Sequence, residues 1–166
     1  MAAAIPASDA AAPAVSPMDR LDAIIGLSDA SLSEAAPTLA DELVAIGEAA
    51  LESWLVAKGA RPTRQTVEQF RLLALHRQGA RGDPSFNACR ETCRELVYLH
   101  NVIRLGAEIA GVPREIRLSA MVARHLVLFI DGKLETAGLG EFCCSSRPLR
   151  LQDTVVSAPT DPGTGA

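Results

Sequence analysis

The chain reads as all-α, an irregular bundle of about four main helices, and three observations point there. Apolar residues recur at three- and four-residue steps through most of its length, and alternation of the strand type is confined to one short segment. With 48% of 166 residues hydrophobic, one domain can also bury a continuous core. Residues 1–17, rich in Ala, Pro and Ser, and residues 151–166, with Pro159, Pro162, Gly163 and Gly165, lack an apolar period. They are expected to be disordered tails on either side of a helical domain over 18–150.

The first element is a short helix over 18–27, with Leu21, Ile24 and Ile25 on one face. Ser31 and Glu34 have the spacing of a capping box, but Pro37 interrupts a helix begun there. The main second helix is therefore placed from Thr38, where Asp41 repeats the pattern, to Lys58 before Gly59. Its buried stripe is Leu39, Leu43, Ile46, Ala50, Trp54 and Ala57.

Pro62 and Thr63 open a third helix that carries Val67, Phe70, Leu73 and Ala74 inward and stops before Gly79, ahead of a basic turn over 78–82. Asp83 before Pro84 is the best start signal in the chain, since the carboxylate accepts free amide hydrogens and Pro fits the first helical position. That fourth helix is expected to reach about Ala110, closed by Gly111 and Pro113. Residues 116–130 follow, apolar around nearly the whole circumference, which places them in the centre of the bundle. Leu126 to Ile130, Asp131-Gly132 and Lys133 to Glu135 also fit a hairpin. Helix is preferred, because Gly138 and Gly140 soon follow the second arm and Arg117, Arg124 and Asp131 fall at seven-residue steps.

The start of the chain has no basic region followed by a Leu-rich one, so it does not read as a secretion signal, and no apolar run is long enough for a membrane span. A cytoplasmic location follows as the expectation. In a reducing compartment the four cysteines are then candidates for ligation, reactivity or burial rather than disulfides.

Net charge is −4, but residues 1–60 carry two basic and nine acidic side chains and residues 61–150 fourteen basic and nine acidic. Such polarity marks either a surface for an acidic partner or two oppositely charged parts that neutralise one another, and the second is favoured. Fourteen of the sixteen basic residues are Arg. Together with abundant Ala this matches the imprint of a GC-rich genome, which weakens composition as evidence for phosphate binding.

Chemistry is densest at Cys89, Cys93 and His100, which share one helical face at spacings of four and seven. Burial of the two thiols as small hydrophobes is the plain alternative. A rise of about 10 Å from Cys93 to His100 is too far for one tetrahedral ion, so the vicinal pair Cys143 and Cys144 supplies the better extra ligands if its loop folds back. Cys89, Cys93, Cys143 and Cys144 thus form the candidate site for zinc or another soft metal, or for a thiol-reactive compound, although no C-x₂-C spacing is present.

For catalysis, His76, His100 and His125 are available as bases and Cys144 as a nucleophile, but no motif orients such a pair, and the phosphate-loop, dinucleotide, zinc-protease and serine-elbow signatures are all missing from the sequence. His76 is expected to meet carbonyls or water near a helix end, and His125 to be a hydrogen-bonded core residue. Arg77, Arg81, Arg90 and Arg94, on two helices joined by a short turn, are the candidate nucleic-acid contacts, with Arg61, Arg64 and Arg71 nearby. Pairing with Glu68, Glu91, Glu95 and Glu108 is the alternative for these arginines.

The leading reading is a small cytoplasmic, non-catalytic regulatory or partner-binding protein with a cysteine patch and a protein partner or homo-oligomer. A DNA-associated regulator using the Arg-rich helices is the alternative, and a Cys/His-dependent enzyme the third choice.

Overall fold

A computed structural model describes residues 14–106 and 111–139; the two expected tails, apart from residues 14–17, lie outside that range, as does the loop bearing Cys143 and Cys144. The described chain is helical, with six α-helices: α1 (Pro17–Ile25), α2 (Asp29–Glu34), α3 (Ala36–Ala57), α4 (Arg71–Gly82), α5 (Arg90–Leu105) and α6 (Val112–Thr136). One 3-10 segment, Pro84–Cys89, joins α4 to α5. The all-α bundle expected from periodicity is the fold.

Local chemistry explains the boundaries. Ser16 accepts from the Asp19 amide to start α1 at Pro17, one residue before Met18, and Ser28 does the same for Ser31 at the start of α2. Both Pro37 and Pro113 sit in a first helical turn, where a missing N–H costs nothing, so they open α3 and α6 instead of interrupting helices. Ser31 and Glu34 consequently fall inside a short helix of their own, Asp29–Glu34, which Ser28 caps in place of Ser31.

Three further expectations are corrected. Residues 62–70 are not helical: Glu68 and Gln69 take left-handed φ values of 51° and 70°, and Val67 and Phe70 exchange both backbone hydrogen bonds around them. α4 therefore begins at Arg71 and runs through Gly79. The Asp83 cap, accepting from the Ser85 amide, opens a 3-10 segment before α5, which ends at Leu105. Residues 126–135 lie inside α6, in line with the preference for helix over a hairpin there.

The core sits where α3 packs against α4, α5 and α6, with α1 and α2 laid on α6. Gly47, in the middle of α3, makes this possible: a Cβ there would lie 3.0 Å from Leu96, 3.1 Å from Leu72 and 3.3 Å from Leu126, one residue from each of the surrounding helices. α6 is not apolar and buried all round, as its composition suggests. Ile116, Ala120, Ala123, Leu126 and Ile130 face inward, while Leu118, Met121 and Leu128 remain on the surface.

Acidic residues of the first sixty pair with arginines of the later helices: Asp41 with Arg104, Asp29 with Arg117, Asp22 with Arg124, and both Glu48 and Glu52 with Arg71. The charge asymmetry of the sequence is to this extent internal neutralisation. No described helix is long and apolar enough to cross a membrane.

Candidate anion clefts and a buried cysteine pair

The irregular segment before α4 is fastened to that helix by side chains. Gln78 accepts from the Thr63 amide at 2.8 Å and donates to the Arg61 carbonyl at 2.8 Å, while Arg71 donates to the Thr63 carbonyl at 2.8 Å. Glu48 of α3 accepts from the Leu72 amide at 3.1 Å, capping α4 from a neighbouring helix. Burial raises the Glu48 carboxyl, opposed by Arg71 and the Leu72 amide.

Between strap and helix opens a cleft of about 450 Å³, lined by Arg61, Arg64, Arg77 and Arg81 with Thr63 and Gln78. Among the described residues no carboxylate lines it, and none of these four arginines has an ion-pair partner. Val67 and Arg77 also line a second cleft of about 200 Å³, together with His76, Asn87, Arg90 and Arg94. Arg94 reaches Glu68 at 3.4 Å and Arg90 reaches Glu91 at 4.0 Å, both in exposed positions where such pairs contribute little.

All four sequence-predicted arginines, Arg77, Arg81, Arg90 and Arg94, are thus brought to one side of the molecule. Sequence reasoning left out Arg61 and Arg64 as site residues. The available signal was the lack of an apolar period between Gly59 and Phe70, which marks an irregular strap rather than a helix. Arg71, by contrast, is spent on Glu48 and Glu52.

Cys89 and Cys93 lie behind the second cleft, 1% and 0% exposed. The backbone carbonyl of Phe86 organises this corner, accepting from the His76 ring at 2.8 Å and from the Cys89 thiol at 3.3 Å. The contact with Cys93, and after it that with His76, lowers the Cys89 thiol, whereas the shared contact and burial push Cys93 up. His76 is raised, chiefly by Cys89. Of the two sulfurs, Cys89 is the one that ionises first.

His76 was missed as the neighbour of these thiols, being ten residues from the Phe86 carbonyl that holds it. His100 takes no part: its ring bonds Asp41 at 2.8 Å and packs nearly perpendicular to the ring of Phe70. His125 is exposed, not a core residue, because it falls on the outer stripe of α6. Among the described residues no group of three or more His, Cys, Asp or Glu side chains is placed to hold a metal ion; Cys143 and Cys144 fall outside them.

On the far side of the 83–89 turn, Lys133 of α6 binds Asp83 at 2.7 Å and the Ser85 hydroxyl, with its ammonium over the rings of Trp54 and Phe86. Lys133 and Ser85 hold the Asp83 carboxyl down to about 2. The turn that carries Phe86 is therefore clamped from both flanks. Comparison with protein-family models, curated proteins and solved structures found no match.

Proposed function

We propose that the protein is a non-catalytic binding protein whose Arg-lined double cleft captures a small ligand bearing more than one phosphate. One observation carries this reading: four guanidinium groups line one cleft with no carboxylate among its described lining residues. Arginine offers planar, bidentate donors suited to phosphate oxygens, and a cleft of about 450 Å³ is in the size range of small-ligand sites. A regulatory role fits a site whose described polar lining in the larger cleft consists of donors suited to holding an anion.

A second reading, nucleic-acid binding, is favoured by a separate feature. Arg90 and Arg94 extend the basic surface beyond the larger cleft onto the first turns of α5, in the helix, turn, helix order of α4, the 3-10 segment and α5.

Calorimetric titration with inorganic pyrophosphate and with a short mixed-sequence duplex at low salt separates the two. Saturable pyrophosphate binding, lost about tenfold or more in Arg77→Ala, is expected, because one charge-assisted bond contributes about 1.5–3 kcal/mol. Arg77 is exposed, so its replacement leaves the fold intact. Duplex binding without pyrophosphate binding would transfer the proposal to nucleic acid. No binding of either would overturn both readings.

A further inference from the structure

Helix α4 carries two rows of cleft-lining residues, with Arg77 at their boundary. Leu73, Arg77 and Ala80, at steps of four and three, line the smaller cleft, and Ala74, Arg77 and Arg81 line the larger one. Val67 of the strap lines both as well. The clefts, of about 200 and about 450 Å³, are thus adjoining compartments with two walls in common. Their chemistry differs. The larger holds four arginines without an ion-pair partner among the described residues. In the smaller, Val67, Leu73 and Ala80 supply an aliphatic wall, and Arg94 and Arg90 each have a carboxylate beside them, Glu68 at 3.4 Å and Glu91 at 4.0 Å.

Resting on the reading of the larger cleft as an anion site, we infer that the ligand is a nucleoside di- or triphosphate. Its phosphates lie with Arg61, Arg64, Arg77 and Arg81, and its base sits in the smaller cleft. An inorganic polyanion or a fully phosphorylated polyol, charged on every side, leaves the aliphatic wall unused. A base is neutral and flat, with its hydrogen-bonding groups confined to the edge. Its faces gain from contact with Val67, Leu73 and Ala80, and it does not compete with Glu68 and Glu91 for their arginines.

Asn87 supplies the contacts to that edge. It lines the smaller cleft from the 3-10 segment and is exposed, and among the described residues no hydrogen bond engages its carboxamide. A carboxamide presents donor hydrogens and an acceptor side by side, the complement of a base edge on which an acceptor and a donor are adjacent. The His76 ring also lines this cleft, but its Nε2 is already bonded to the Phe86 carbonyl at 2.8 Å. Arg77, common to both compartments, meets the phosphate nearest the sugar.

Calorimetric titration of the full chain with inorganic pyrophosphate, methyl diphosphate and the diphosphates of adenosine, guanosine, cytidine and uridine tests the inference. Methyl diphosphate has the phosphates and the charge of these nucleotides without the base. At least one nucleoside diphosphate is expected to bind about tenfold or more tighter than methyl diphosphate, in competition with pyrophosphate. Asn87→Ala should weaken that nucleotide about threefold to tenfold more than it weakens methyl diphosphate, whereas Arg81→Ala, which touches only the larger cleft, should weaken the two alike. Both residues are exposed, so circular dichroism should show an intact fold in each variant. Pyrophosphate binding with no nucleoside diphosphate tighter than methyl diphosphate overturns the inference and leaves the anion site standing. A loss in Asn87→Ala that is equal for nucleotide and methyl diphosphate overturns it too. No binding of any of these anions overturns the anion reading and the inference with it.

Discussion

Gly79 is a helix-interior glycine whose replacement should harm the protein, against the usual rule. Ala is favoured over Gly inside an exposed helix by about 1 kcal/mol, so Gly79→Ala would stabilise α4 if nothing stood nearby. A Cβ at this position, however, would lie 2.9 Å from Cε1 and 3.0 Å from Cδ1 of Phe86. That is roughly 0.5–1 Å inside an ordinary carbon contact. The ring cannot swing aside, since Phe86 is fully buried, with ring centroids 5.4 Å from Trp54 and 6.0 Å from Phe129. Overpacking of this kind costs about 1–3 kcal/mol. The net effect is a loss of about 1 kcal/mol, or about 2–4 °C in Tm for a chain of this size. In a Phe86→Leu background the ring is gone and Gly79→Ala should become neutral or stabilising, a coupling of about 1–3 kcal/mol between the two positions. Urea denaturation of the four proteins measures it. A gain from Gly79→Ala in the native background, or an equal effect in both, would refute the close approach of α4 to the 83–89 turn.

Three other outcomes follow from the same corner. Asp83→Asn should destabilise the protein at neutral pH, and the difference should narrow and vanish as acid is added. A carboxyl held at about 2 contributes stability that is complete above its unfolded pKa near 4 and is lost as pH falls through about 2, which denaturation curves across that window will show. With Cys143 and Cys144 replaced by Ser, a chromogenic disulfide reagent should find Cys89 and Cys93 unreactive until the protein unfolds, because both are buried; rapid titration of the native state would contradict that burial. Glu48→Gln keeps an acceptor for the Leu72 amide but loses the charge facing Arg71, and a cost of about 1 kcal/mol is expected in urea.

The helical class and several capping signals were legible in the residues, because apolar period and N-caps are local properties. Asp83 before Pro84 starts an element where it should, although the element is a 3-10 segment first and α5 second. The strap over residues 62–70 was not legible. Its conformation is imposed by Gln78 and Arg71, and by acidic partners on α3 that are 19 to 24 residues away, so a Pro-Thr start signal was overruled by tertiary contacts. Likewise an apolar side chain does not declare whether it faces a core or an outer surface, and Met121 and Leu118 were assigned to the centre of the bundle on composition alone.

The first of these failures concerns the region from which function is argued. The cysteine pair attracted attention first because thiols are chemically conspicuous, yet the structure uses them beneath the surface, where Cys89 and His76 share one carbonyl of the 83–89 turn. What that turn holds in place is more telling. On one flank Lys133 ties Asp83 and Ser85 to α6, and on the other Asn87, Arg90 and Arg94 face the smaller cleft beside Arg77. Buried polar groups are costly unless satisfied, and here they are satisfied by fixing the segment that aims the arginines. The buried thiols and His76 therefore brace the turn, whereas Arg61, Arg64, Arg77 and Arg81, ordinary by composition, stand out because among the described residues no carboxylate lines their cleft.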